Sequence, residues 1–90
     1  MQLTIKLLPP YRQAGDKGEL PLELQQRELT VQQLSEYLHQ KWGDKLAYPL
    51  FDTIKGYHTA EYIVNGKHAS LEQVLKNGDE VTVVPYISGG

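Results

Sequence analysis

The 90-residue sequence contains no cysteine. That excludes disulfides, thiol nucleophiles and Cys-type zinc sites, and it makes the cytoplasm the expected compartment. No apolar run approaches the roughly 20 residues needed to span a bilayer. The start, MQLTIKLLPP, has no basic segment followed by a long apolar stretch, so no signal peptide is expected. An excess of positive charge is also missing. Nine Lys and Arg stand against eleven Asp and Glu, for a net charge of −2 and a pI near 5.8. No nucleic-acid footprint follows from such a balance. His39, His58 and His68 lack metal-ligand spacing and no H-E-x-x-H occurs, so no metal site is expected. The glycines of GDKGE lack the Gly-Lys-Ser/Thr ending of a phosphate loop. No Ser-His-Asp arrangement, internal repeat or low-complexity segment stands out.

What is present is the composition of an ordinary globular protein, with 40% hydrophobic and 22% charged residues. A chain of this size buries only about 60–65% of its unfolded surface, enough for one modest core. A single domain over residues 1–90 is expected. Residues 2–8, QLTIKLL, alternate, with Leu3, Ile5 and Leu7 on one face, and read as a half-buried strand. PPYRQAGDKG reads as a loop. ELPLEL alternates again, and Pro21, which cannot donate to a ladder, places that strand at an edge. The two strands make a hairpin.

The period then changes. Thr30 and Gln33 fit a capping box, in which each side chain satisfies a free amide of the other. Val31, Leu34, Leu38 and Trp42, with Tyr37, form one helical stripe, and Gly43 reads as a left-handed stop. Residues 44–58 fit a short helix or an irregular loop equally, with Leu46, Tyr48, Leu50, Phe51 and Ile54 expected to be mostly buried. AEYIVNGKHA reads as a strand entering an Asn65-Gly66 hairpin turn. Ser70 and Gln73 form a second capping box for a short helical turn stopped by Gly78. DEVTVVPY is the last strand, apolar on both faces as a central strand is, and Pro85 ends it.

One helix and a small sheet must bury their apolar faces against each other. The expected fold is α+β, a mixed sheet of four to five strands with one main helix across one face. This arrangement resembles the β-grasp, or ubiquitin-like, fold, and that resemblance implies that the first and last strands are central. Residues 86–90 are expected to form a flexible C-terminal tail.

That tail ends in Gly89 and Gly90. Alone, two such residues also fit a fraying terminus. Without Cβ atoms, however, they enter narrow channels and adopt backbone angles closed to other residues. From Pro85 to Gly90 the chain extends on the order of 17 Å, at about 3.4 Å per residue. It can therefore deliver a carboxylate into a partner's active site, where activation as an acyl-adenylate and attack by sulfide or persulfide would give a thiocarboxylate. The domain would then be a group carrier.

Four features stand in order along residues 63–90: Asn65-Gly66, Gly78-Asp79-Glu80-Val81, Pro85 and Gly89-Gly90. With this spacing the segment resembles the C-terminal half of the MoaD/ThiS-type ubiquitin-like sulfur carriers. Pro85 and the ISGG ending are similar to the small subunit of molybdopterin synthase. The resemblance implies that Gly90 is adenylated and thiocarboxylated, with Gly89 giving access. ATP and Mg²⁺ would be used by a ubiquitin-activating-like adenylyltransferase, with a sulfurtransferase as sulfur source and no cofactor bound by this chain itself. The tail would insert into the molybdopterin synthase large subunit, whose side chains do the catalysis, and the sulfur would pass to the pterin precursor of the molybdenum cofactor. This chain alone would not be a complete enzyme.

Pro85, Tyr86, Ile87 and Ser88 are candidate partner contacts, since aromatic residues are enriched in interface cores. Either Tyr86 or Ile87 could instead cap the sheet. Asp79 and Glu80 read better as turn and strand-entry residues than as binders, and Phe51 and Tyr11 better as core than as partner surface. Other destinations for the sulfur (thiamine, tRNA thiolation, cysteine) stay open. So do a protein modifier joined to lysine through Gly90 and, in another class, a β-grasp binding module whose tail is incidental.

Overall fold

The alternation of Leu3, Ile5 and Leu7 produces β1 (Gln2–Leu7), with all three side chains buried. The computed structural model describes residues 1–12, 18–43, 46–52, 54 and 56–85. β2 (Glu19–Glu23) returns antiparallel to β1, setting Leu3 opposite Leu22 and Thr4 opposite Pro21. Gly18, just before β2, has φ +73°, and a Cβ there would lie 2.5 Å from the Leu7 carbonyl oxygen, so the hairpin closes only around glycine.

A short β3 (Leu29–Thr30) leads into the helix α1 (Val31–Trp42). The capping box is formed: Gln33 N–H donates to Thr30 Oγ1 at 3.1 Å, and Thr30 N–H to Gln33 Oε1 at 2.9 Å. Val31, Leu34 and Leu38 are wholly buried, and Tyr37 and Trp42 pack partly against the same core. After β4 (Phe51–Asp52) and β5 (Tyr57–His58) come β6 (Ala60–Val64), β7 (Lys67–Ala69), β8 (Val74–Leu75) and β9 (Glu80–Pro85).

The main sheet has five strands in the order β2-β1-β9-β6-β7. β1 and β9 run parallel at its middle, and the other pairs are antiparallel. This is the expected mixed sheet, with Pro21 on an edge strand. One face of it carries the core, in which Ile5, Val81, Val83 and Tyr62 join Leu34 and Leu38 of the helix. Burying each such aliphatic side chain contributes about 1.5–3 kcal/mol. Thr82 and Val84, on the other face of β9, are only half-buried.

Three expectations are corrected. Gly43 is right-handed, at φ −53° and ψ −39°, so no left-handed cap ends α1 there. Ser70 and Gln73 do not start a helix. Residues 71–75 turn and form β8, which pairs with β3 and buries Leu75. So short a segment cannot repay helix nucleation. Its carbonyls serve α1 instead, as Val31 N–H donates to Gln73 O and Gln32 N–H to Leu71 O, both at 2.9 Å. Of the apolar residues in 44–58, Leu46 and Leu50 are buried and Phe51 half-buried, but Tyr48 is 45% and Ile54 95% exposed. Where described, this stretch contains the small antiparallel pair β4–β5, with Phe51 opposite His58, in place of a helix or plain loop.

Candidate functional site at the end of the last strand

The two ends of β9 are built differently. At its start, Asn65 (φ 52°) and Gly66 (φ 83°) form the β6–β7 turn, both left-handed as a two-residue type I′ hairpin requires. The Asn65 side chain reaches across to β9. Its Nδ2 donates to Asp79 Oδ1 and its Oδ1 accepts Glu80 N–H, both at 2.9 Å. Asp79 Oδ2 also accepts Lys76 N–H at 2.8 Å. Asn65-Gly66 and Gly78-Asp79-Glu80, separate in the sequence, are thus one hydrogen-bonded unit. Asp79 is a turn residue, as expected. Glu80 enters the strand and its carboxylate lies 3.3 Å from Lys6 Nζ.

At the other end, Pro85 pairs with Ala60 and is half-buried. Tyr86, Ile87, Ser88, Gly89 and Gly90 lie outside the described residues. Pro85 stands in the wall of an open groove of about 940 Å³ whose sides include Pro10, Tyr11, Tyr48, Thr59 and Leu71. Tyr11 is the groove's buried floor, only 1% exposed. Its hydroxyl donates to Thr59 O at 2.8 Å and lies 3.1 Å from Thr59 Oγ1, and its ring meets Tyr48 edge-on with centroids 6.1 Å apart. Thr59 Oγ1 in turn donates to Pro49 O at 2.7 Å. Tyr11 is therefore core and groove lining together, where the sequence favoured core over partner surface.

The electrostatics of the groove are quiet. Burial pushes the Tyr11 phenol above its ordinary range, opposed by its bond to Thr59. Burial raises Tyr62 much further, and neighbouring Ser35 only partly offsets it. The Tyr62 hydroxyl has no hydrogen-bond partner among the described residues, while Ser35 Oγ donates to Gln32 O at 2.7 Å. Both phenols stay neutral well above neutral pH. His58 and His68 border the groove, and His68 Nε2 lies 3.3 Å from Glu61 Oε2. Phe51 packs edge-on against His58 at 5.0 Å. Among the described residues no three His, Asp or Glu side chains converge as metal ligands, and no helix is long and apolar enough to cross a membrane.

Of the sequence-predicted site residues, the structure thus places Pro85 and the platform beneath it. Thr59 and the groove were missed. The signal that could have found them is the run Pro9-Pro10-Tyr11 after β1, matched by Pro85 at the end of the strand β1 pairs with.

The ThiS family model matches residues 13–90. The chain is similar to SAMP1 from Haloferax volcanii, at 20% identity, full coverage of both chains and a TM-score of 0.71. It is similar to small archaeal modifier protein 1 from Methanosarcina acetivorans, at 26% identity, covering 99% of this chain and 96% of that one, with a TM-score of 0.69. A third likeness is to a chain in the complex of subunits 1 and 2 of molybdopterin-converting factor from Helicobacter pylori, at 18% identity, full coverage of both and a TM-score of 0.59. Among curated proteins there is no match. The chain therefore belongs to the ThiS family, within the ThiS/MoaD type of ubiquitin-like sulfur carriers.

Proposed function

We propose that this carrier serves as the small subunit of molybdopterin synthase. In this reading the Gly90 carboxylate attacks the α-phosphorus of ATP, held with Mg²⁺ by a ubiquitin-activating-like adenylyltransferase, and releases pyrophosphate. Sulfide-level sulfur supplied by a sulfurtransferase then displaces AMP and leaves a thiocarboxylate. The arm enters a large subunit, which supplies the catalytic side chains, and the sulfur passes to the pterin precursor. Pro85, Tyr86, Ile87 and Ser88 line the approach, and Gly89 lets the arm fit a narrow channel. No cofactor belongs to this chain.

The observation that carries the reading is the position of Pro85. In this ThiS-family domain the described part of β9 runs to Pro85, and in the sequence five residues closing on Gly89-Gly90 follow. The fold likeness to one member of a two-subunit molybdopterin-converting complex supports the choice of pathway. The test is intact-mass analysis after incubation with the adenylyltransferase, ATP, Mg²⁺ and sulfide. The expected result is an ATP-dependent gain equal to exchanging one oxygen for sulfur at Gly90. Dithiolene synthesis that survives removal of Gly90 in a reconstituted system would overturn the reading.

The likeness to small archaeal modifier protein 1 favours a second reading, in which Gly90 is joined to lysine amines of other proteins. A ladder of conjugates on a blot of cell lysate, lost when Gly90 is removed, would support it.

A further inference from the structure

Two Asn-Gly pairs, Asn65-Gly66 and Asn77-Gly78, stand at one corner of the molecule, where β9 begins. Such pairs carry a chemistry of their own. Asparagine is thermolabile, because the main-chain nitrogen of the next residue can attack its side-chain carbonyl carbon. A following glycine, without Cβ, leaves that nitrogen unshielded. The new bond joins the glycine nitrogen to Asn Cγ, the Cγ–Nδ2 bond breaks, and ammonia departs with the proton that the glycine nitrogen gives up. Water then opens the five-membered imide to aspartate or isoaspartate. All four residues are exposed, and no atom stands within 4 Å of the Cβ position at either glycine.

The fold guards the two pairs unequally. Asn77 Oδ1 accepts Gln2 N–H, and the attacking group itself, Gly78 N–H, donates to Gln2 O, both at 2.7 Å. Carbonyl and nucleophile are thus clamped separately on one stretch of backbone. At Asn65 it is the side chain that is held, its Nδ2 by Asp79 Oδ1 and its Oδ1 by Glu80 N–H, both at 2.9 Å. In a two-residue turn the closing bond joins the flanking residues, here Val64 and Lys67, so the Gly66 amide stays outside the ladder. Attack at Asn65 therefore waits for its carboxamide to leave β9 and turn onto the Gly66 nitrogen, which is a local opening.

We propose that Asn65 is a site of slow self-modification, by loss of ammonia to Gly66, held in check by Asp79 and Glu80. The proposal does not depend on the carrier reading. Its product disables the corner that restrained it. A carboxylate at position 65 offers Asp79 no donor and faces it with like charge. The isoaspartyl form also adds a main-chain atom to a two-residue turn.

The test follows the full chain by peptide mass mapping in mildly alkaline buffer, folded and in urea. In urea the two sites should react alike, since the dipeptides are the same. In the folded chain both should slow, and Asn65 should outrun Asn77 by about two- to tenfold, as one further net hydrogen bond at Asn77 gives. Asp79→Ala should raise the Asn65 rate on the order of tenfold, because a bond to a charged acceptor is lost, and should raise it more than the Asn77 rate. Asn65→Asp should melt below the parent. The proposal is overturned by no product at Asn65 in the folded chain, by equal Asn65 rates folded and in urea, or by Asn77 leading in the folded chain. An Asn65 rate unmoved by Asp79→Ala, or an unchanged midpoint in Asn65→Asp, overturns it equally. If Asp79→Ala does not fold, the folded-to-urea comparison in the parent chain decides alone.

Discussion

The two ends of β9 are held by different means: by hydrogen-bonding side chains at its first residues, and by main-chain pairing with β6 at its last. At the entry, Gln2 N–H donates to Asn77 Oδ1 and Gly78 N–H to Gln2 O, both at 2.7 Å, alongside the Asn65–Asp79–Glu80 unit. At the exit, Val84 pairs with Glu61 and Pro85 with Ala60, while the N–H of neighbouring Thr59 is donated to Leu50 O at 3.0 Å. The comparison teaches that the entry is fixed by side chains whose roles are readable in the sequence, whereas the exit is set by residues that meet only in the fold.

On the carrier reading, removing Gly90 should abolish sulfur loading outright while leaving the denaturation midpoint unchanged. A lowered midpoint would mean that the arm packs on the domain. The entry should behave in the opposite way. Asn65→Ala removes two side-chain hydrogen bonds and places alanine at positive φ. It should cost about 1–3 kcal/mol by chemical denaturation, from two net hydrogen bonds of about 0.5–1.5 kcal/mol each, with loading intact in the folded fraction.

Alkali should act on the core beside the groove. Tyr62 keeps its proton in the folded state above the ordinary value of 10.0, through burial. Between that value and the raised one, the unfolded chain binds fewer protons than the native chain, so stability falls as pH rises. Below pH 10 the contribution is complete. The loss should begin near pH 10 in a pH series of unfolding curves and shrink in Tyr62→Phe.

Tyr11→Phe should cost about 0.5–1.5 kcal/mol for its bond to Thr59 O, and should loosen residues 46–50 in hydrogen exchange more than it lowers the midpoint. Smallest of all, Lys6→Met should change stability by less than about 1 kcal/mol, because the Lys6–Glu80 pair is solvent-exposed.

The sequence was most legible where one local rule decided the outcome. The Thr30–Gln33 box, the Asn65-Gly66 turn and the edge position of Pro21 each follow from a single residue's donors or backbone preference, and each is formed. Reading failed where tertiary partners decided. Ser70 and Gln73 copy a helix start, but α1 needs carbonyls from residues 71 and 73 for its own first amides, and Leu75 has a strand partner in Leu29. Tyr48 and Ile54 are apolar enough to expect burial, yet Tyr48 borders a groove and Ile54 lies at the tip of the β4–β5 hairpin. For the site, Gly89 and Gly90 suggested the proposed chemistry from the sequence alone, and the loading assay tests it. The groove beside Pro85 was not legible, because Pro10, Tyr11, Thr59 and Pro85 meet only in the fold.

Amide hydrogen exchange along β9 and the tail of the full chain tests the central claim most directly. The account predicts strong protection from Val81 to Val84 and its loss by Ile87. Protection continuing through Ile87 and Ser88 would contradict the free arm that the carrier reading needs, and fraying that already reaches Val83 would contradict the pairing of β9 with β6.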